Sequence, residues 1–108
     1  MNIEIDIPHN EVKEWLISQV RDKLIELHHM EKSLHRASVH FKLNDKPGSE
    51  KVCEIEVPMF GSSLFIHRAA SSFEQASREV LQELSNNIIE RHAARNEPPD
   101  IITSSVKI

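Results

Sequence analysis

One stretch decides the fold of this chain, the run Ala37-Ser38-Val39-His40-Phe41-Lys42-Leu43-Asn44. Its odd positions are apolar and its even positions are polar. Successive side chains of a β-strand point to opposite faces of a sheet, so this two-residue repeat places one face on a core. The run therefore predicts a half-buried strand whose second face meets solvent or a partner.

A second alternating run covers residues 52–57 and follows a turn sequence, Asp-Lys-Pro-Gly, at residues 45–48. Proline and glycine in such a cluster favour a chain reversal. We therefore expect the two runs to form a hairpin. The inward positions of the second run are Cys53, Ile55 and Val57, and its outward positions are Val52, Glu54 and Glu56.

A third strand is expected between residues 64 and 69. Pro58 is predicted to end the preceding strand, and Gly61 followed by Ser62 permits a second reversal. The pattern leaves the inward face of this strand open between two pairs, Leu64 with Ile66 or Phe65 with His67. The three runs together predict a meander.

A short strand and a helix are expected before the meander. Residues 3–7 alternate and are stopped by Pro8, which predicts the first strand. The first helix is expected to begin near Asn10, an adequate N-cap, and to end near Lys32. At 3.6 residues per turn its core stripe comprises Val12, Leu16, Val20, Leu24 and Leu27, with Trp15 beside it and Ile17 and Ile25 toward the outer face.

A second helix is expected after the meander. Ser71 and Ser72 precede Glu74, a capping pattern, and we expect this helix to end near Ala94. Two prolines at residues 98 and 99 prevent its continuation. The core positions of the helix are Phe73, Ala76, Val80, Leu81, Leu84 and Ile88.

The element order is thus β-α-β-β-β-α, which predicts an α+β two-layer sandwich with two helices on one face of a four-stranded mixed sheet. We expect one domain at residues 1–97 and a flexible C-terminal tail at 98–108. No apolar run approaches the roughly 20 residues that span a bilayer. A single cysteine, Cys53, excludes an internal disulfide and fits a reducing compartment, so we expect a cytoplasmic protein without membrane contact.

Catalytic and metal-binding constellations are missing from the sequence. The alternating pattern buries Cys53, glycine occurs only at 48 and 61, and no phosphate loop is present. The seven histidines include no pair at i, i+4, the spacing that metal sites on helices favour. We therefore expect no enzyme activity, no cofactor and no metal site.

The charge distribution permits a local basic patch, although the net charge is −4. Acidic residues occupy the first strand and both helices. The basic residues between the end of the first helix and the third strand of the meander are Lys32, Arg36, Lys42, Lys46, Lys51 and Arg68. Without blocks of like charge, an ordinary solvated surface is the alternative interpretation.

The element order is similar to the double-stranded-RNA-binding architecture, and the chain more closely resembles the short ribosome hibernation promoting factors, also called ribosome-associated inhibitors or sigma-54 modulation proteins. The resemblance covers Met1 to about Arg95. It is carried by four segments, Met1-Asn2-Ile3-Glu4-Ile5, the helical positions Val12, Leu16 and Val20, the run Lys23-Leu24-Ile25-Glu26-Leu27, and the turn from Gly61 to Leu64 leading to Phe73-Glu74-Gln75-Ala76.

The resemblance implies a non-enzymatic protein that occupies the messenger and transfer RNA groove of the small ribosomal subunit under stress. Basic side chains would contact ribosomal RNA phosphates, and no DNA binding is expected. Lys23 takes the family's basic position in the first helix, and Arg78, Arg91 and Arg95 are the basic residues of the second. A divergent member could use another set, namely Arg21, Lys32, Arg36, His40, Lys42 and Arg68.

Several family positions differ in this chain. Ser77 replaces an aspartate, Gln82 and Glu83 stand where lysines are expected, and Glu26 replaces a common lysine. Fewer phosphate contacts predict weaker binding at physiological salt. The alternative function is a protein-interaction module of the same fold, which pairs through its open sheet face or its 64–69 strand with itself or another protein.

Overall fold

The computed structural model describes residues 1–8, 12–59 and 61–95. The predicted cap Asn10 and the predicted tail at 98–108 lie outside this part of the chain. The elements, in order, are β1 (Asn2–Asp6), α1 (Glu14–Met30), β2 (Arg36–Leu43), β3 (Lys51–Met59), β4 (Ser62–Ala70) and α2 (Phe73–Arg95). The predicted order β-α-β-β-β-α is therefore confirmed.

The four strands form one sheet in the order β1-β2-β3-β4. β1 pairs in parallel with β2, and the remaining neighbours pair antiparallel, so the sheet is mixed, as predicted. The parallel pair requires a long crossover, which α1 supplies. Gly48, in the turn between β2 and β3, has φ +80°, a value that side-chain-bearing residues rarely adopt.

A single apolar layer between sheet and helices forms the core. The predicted inward positions Cys53, Ile55 and Val57 are each at most 2% exposed. On the helix side, the predicted core stripe of α1 and all predicted core positions of α2 except the partly buried Leu81 are buried. The two helices thus cover one face of the sheet, as expected, and leave the other face open.

The inward face of β4, which the sequence left undecided, carries Leu64 and Ile66. Ile66 is 5% exposed, whereas Phe65 is 58% exposed. The register explains this choice, because Leu64 lies opposite Val57 and Ile66 opposite Ile55, both of which face the core. Phe65 and His67 therefore stand on the open face of the sheet.

The boundaries of α1 differ from the prediction. The helix begins at Glu14 rather than near Asn10, and its N-cap residue, Lys13, makes no side-chain cap. Val12 is buried although it precedes the helix. Its apolar side chain fits the spacing of the core stripe, and for this reason the predicted start of the helix lies too early. At the other end the helix stops at Met30 rather than Lys32, because Glu31 takes an extended backbone conformation.

Three smaller predictions were wrong. Pro58 does not end β3, which continues to Met59 with Pro58 opposite Ser63. Pro58 lies beyond the last residue pair with β2, where a proline need not remove a ladder hydrogen bond. Ile17 is partly buried and packs on the core instead of facing outward, and β1 begins one residue earlier than predicted.

Candidate nucleic-acid interface

A groove runs between the two helices on the side of the molecule away from the sheet. We call it the helix groove, and its volume is about 320 Å³. Its lining residues are Gln19, Val20, Lys23, Glu74, Ser77, Arg78, Leu81 and Gln82. Two predicted RNA-binding residues from different helices, Lys23 and Arg78, therefore meet on one concave surface.

Each cation of the helix groove is held by a local carboxylate. Nζ of Lys23 lies 3.1 Å from Oε1 of Glu26, and Nη2 of Arg78 lies 3.2 Å from Oε2 of Glu74. The side chains of Lys23 and Arg78 are 42% and 69% exposed. Exposed pairs at i, i+3 or i, i+4 contribute only a few tenths of a kcal/mol, so a phosphate can replace either carboxylate at small cost.

Neutral donors and a buried floor complete the helix groove. The amides of Gln19 and Gln82 line it beside the cations. Ser77, where the resemblance implied an aspartate, is only 2% exposed, and its hydroxyl donates to the carbonyl oxygen of Glu74 at 3.1 Å. Ser77 therefore brings no negative charge into the groove, whereas Glu74 does.

Glu83, where the resemblance implied a lysine, forms an ion pair with a residue of a neighbouring strand. Its Oε1 accepts a hydrogen bond from Nη2 of Arg68 at 2.9 Å. Arg68 belongs to β4 and also donates to the carbonyl oxygen of His67 at 2.8 Å. The predicted RNA-binding residue Arg68 is thus engaged in joining the sheet to α2.

Three predicted residues lie on the open face of the sheet. Arg36 is exposed at the start of β2. Lys42 lies 3.0 Å from Oε1 of Glu54, and Nδ1 of His40 lies 3.3 Å from Oδ2 of Asp6. The helix groove and these three residues occupy opposite sides of the molecule, so one flat RNA surface does not reach both sets.

The remaining predicted residues are spread along the helices. Arg21 is exposed on α1, and Lys32 is exposed just after that helix. Arg91 lies 13 positions after Arg78 on α2, which is about 20 Å along the helix axis. Arg95 is the last residue of α2. Lys51, which we had placed in a possible basic patch, instead lies over the ring of Phe73, with Nζ 5.3 Å from its centre.

The buried carboxylate of Glu31, which was not predicted from the sequence, links the ends of the two helices. Glu31 is 6% exposed, and its oxygens accept hydrogen bonds from the Ser33 hydroxyl at 2.6 Å and from Nε2 of His92 at 2.6 Å. These hydrogen bonds, that of Ser33 above all, hold the pKa of Glu31 at about 2, below its ordinary 4.5, although burial acts in the opposite direction.

The sequence contained a signal for this buried carboxylate. Val20, Leu24 and Leu27 are followed at the same helical spacing by Glu31, so a charged residue continues the core stripe. A carboxylate at a buried position needs hydrogen-bonding partners. His28, on the same turn, adds a further link, since its Nδ1 donates to the carbonyl oxygen of Leu34 at 2.6 Å.

Neither described helix carries an apolar stretch long enough to cross a membrane. Within the described ranges, no group of three or more His, Cys, Asp or Glu side chains is arranged to hold a metal ion.

The α+β fold is shared with solved structures, among them two from Thermus thermophilus and Coxiella burnetii. The crystal structure of the Protein Y N-terminal domain from Thermus thermophilus has a TM-score of 0.68 and 20% identity, and covers 84% of this chain and 99% of that one. A ribosomal subunit interface protein from Coxiella burnetii has a TM-score of 0.72 and 14% identity, and covers 86% and 99%. At these identities the likeness establishes the fold. It does not address the predicted likeness to double-stranded-RNA-binding domains, which stays a prediction.

The fold is thus that of an α+β domain shared with both of these structures. Residues 3–96 match the family described as Sigma 54 modulation protein / S30EA ribosomal protein, and the chain belongs to this family. The resemblance drawn from the sequence is therefore confirmed, and the family assigns the chain to ribosome-associated proteins. Comparison with curated proteins gave no significant match.

Proposed function

We propose that this protein binds the small ribosomal subunit in the groove for messenger and transfer RNA and thereby keeps ribosomes idle under stress. The observation that carries the proposal is the convergence of Lys23 and Arg78, from two helices, on one groove. In a chain of this family, two cations on one concave surface support contact with a ribosomal RNA backbone. Inhibition on this proposal is steric and requires neither catalysis nor a cofactor.

The charge of the helix groove sets its expected affinity. Lys23 and Arg78 each neutralise one phosphate, while Glu74 opposes them. Two neutralised phosphates give a slope of log affinity against log salt of about −1.4 to −1.8. Binding should therefore respond to salt less steeply than that of a lysine-rich relative.

Sedimentation of stationary-phase lysate through sucrose gradients, at low and moderate salt, tests this function. We expect the protein to comigrate with the small subunit or with whole ribosomes at low salt and to leave them as salt rises. Protein found only at the top of the gradient under both conditions would overturn the proposal. Competition by messenger or transfer RNA for purified small subunits then tests the location of the bound protein.

The alternative, a protein-interaction module, is favoured by one observation. β4 is a nine-residue edge strand without proline. Its one charged side chain, Arg68, is hydrogen-bonded to Glu83 of α2, so it does not provide the exposed edge charge that discourages pairing with another strand. The opposite edge, β1, is only five residues long and carries Glu4 and Asp6. An unguarded edge can pair with another strand, including that of a second copy. Such pairing should persist at high salt, which separates it from RNA binding.

A further inference from the structure

The sheet face turned away from the helices carries an ordered set of polar residues, which we call the open sheet face. Asp6, His40, Glu54 and His67 are successive register partners across all four strands. The neighbouring row, in the same order of strands, is Glu4, Ser38, Glu56 and Phe65. Arg36 and Lys42 lie on β2 at either side of these rows.

The open sheet face has more carboxylates than cations to balance them. Lys42 is held by Glu54 at 3.0 Å. Among the described residues, no lysine or arginine makes an ion pair with Glu4, Asp6 or Glu56. Within the part of the chain that the structure describes, the Glu56 side chain accepts a hydrogen bond only from the neutral hydroxyl of Ser63, at 3.1 Å. Phosphate is repelled by such a surface, and a cationic ligand is attracted.

An exposed aromatic pair stands beside these carboxylates. Phe65 is 58% exposed, and its ring lies nearly parallel to that of His67, with 6.4 Å between ring centres and an angle of 17°. Glu56 is directly opposite Phe65 in the β3–β4 register. Arginine binds well where its guanidinium can stack on an aromatic ring and also donate hydrogen bonds to a carboxylate. Phe65 and Glu56 offer these two contacts side by side.

We propose that the open sheet face docks a lysine- and arginine-rich, extended segment of a protein partner. One cationic side chain of that segment stacks on Phe65 against Glu56. Glu4 and Asp6 are two residues apart on β1, about 6.6 Å, which matches the spacing of alternate side chains in an extended chain. The proposal goes beyond ribosomal RNA binding and does not depend on it, because the helix groove belongs to the opposite layer.

The test uses the full-length chain, labelled with ¹⁵N, and a short synthetic peptide of alternating arginine and threonine. Amide shifts are followed during titration at low and moderate salt. We expect shifts in β1, β3 and β4 around Glu4, Glu56 and Phe65. Phe65→Ala and Glu56→Gln should each weaken peptide binding about two- to fivefold, since each removes one exposed cation contact.

Matched controls remove the same groups from the helical layer. Trp15→Ala deletes an exposed aromatic side chain of α1, and Glu90→Gln neutralises an exposed carboxylate of α2. Both should leave peptide binding unchanged. All four positions are exposed, so the variants should fold, which their amide spectra verify before titration.

Four outcomes would overturn the proposal. Peptide shifts scattered over both layers, or equal losses in control and test variants, would indicate nonspecific charge attraction. Spermidine added at the same concentration of positive charge as the peptide should not displace it. If spermidine does displace the peptide, the surface attracts any cation and has no docking site. A single-stranded RNA that shifts the same residues more strongly than the peptide would make the open sheet face an RNA surface instead.

Discussion

Nε2 of His92 donates to Oε1 of Glu31 across 2.6 Å, joining two side chains 61 positions apart in the sequence. Glu31 caps the end of α1, and His92 lies in the last turns of α2. The pair therefore ties the C-terminal ends of both helices together near the start of β2. Because the helix groove lies between these helices, the pair also fixes the frame in which Lys23 and Arg78 meet.

We expect this tie to contribute measurably to stability. Glu31→Gln and His92→Ala should each lower the free energy of unfolding by about 1–3 kcal/mol. His92→Ala leaves the buried Glu31 carboxylate without one of its hydrogen bonds, and Glu31→Gln removes the charge that strengthens the hydrogen bonds from Ser33 and His92. Urea unfolding of both single variants and the double variant gives the coupling energy. The exposed His29→Ala should change stability by less than about 0.5 kcal/mol. Strictly additive losses would show that the two side chains do not interact.

Acid should weaken the fold through Glu31. Its pKa is about 2 in the folded protein and 4.5 ordinarily, so between these values the unfolded chain takes up a proton that the folded chain does not. The stabilisation is therefore complete above about pH 4.5 and disappears as pH falls toward 2. Urea unfolding against pH should show a steeper acid loss for the natural chain than for Glu31→Gln. Parallel pH profiles for the two proteins would contradict this assignment.

Charge reversal should separate the two sides of the molecule. Lys23→Glu with Arg78→Glu should weaken binding to small ribosomal subunits at least about tenfold at low salt, because two phosphate contacts become repulsions. Arg36→Glu with Lys42→Glu makes the same net change of charge on the open sheet face and should change binding less than about twofold. Equilibrium cosedimentation measures both. Equal losses would return Arg36 and Lys42 to the RNA-binding set.

Cys53 should be unreactive in the folded protein. It is 2% exposed, and burial raises the pKa of its thiol to about 12. Since the thiolate is the reactive form, a disulfide reagent at pH 8 should modify the native chain only as fast as the chain opens. The same reagent in urea should react at once. Rapid modification of native protein would place Cys53 nearer the surface than the structure does.

The local pattern of apolar and polar residues predicted most of the fold. The helix groove could not be predicted in this way, because it depends on contacts between residues far apart in the sequence. The alternation of residues 37–44 and the stripe ending at Leu27 specified a strand and a helix, because a residue's burial follows directly from its period. Pro58 and the start of α1 were misjudged, since each depends on the position of a neighbouring element. The meeting of Lys23 with Arg78 was not predictable, because it arises only when two helices far apart in sequence pack together.

Engagement of cations could not be predicted from the sequence either. Arg68, Lys42 and Lys51 all belonged to the predicted basic set, yet each reaches a partner on a neighbouring element or strand. A count of basic residues therefore does not show which of them already have a partner within the fold. For Glu31 the sequence did contain a signal, because this residue continues the spacing of the apolar stripe. A charged residue is ordinarily expected at the surface, and its burial was therefore not predicted.

The parallel pairing of β1 with β2 has a consequence for the order in which the chain acquires its structure. The consecutive strands β2, β3 and β4 can pair as local hairpins. The pairing of β1 with β2, by contrast, joins Asn2 to Arg36, and the whole of α1 lies between these residues in the sequence. Loop closure over a longer separation is slower, so we expect β1 to be added late. Until then β2 is an open edge. The strand that precedes the other described elements in the sequence is thus the last to pair.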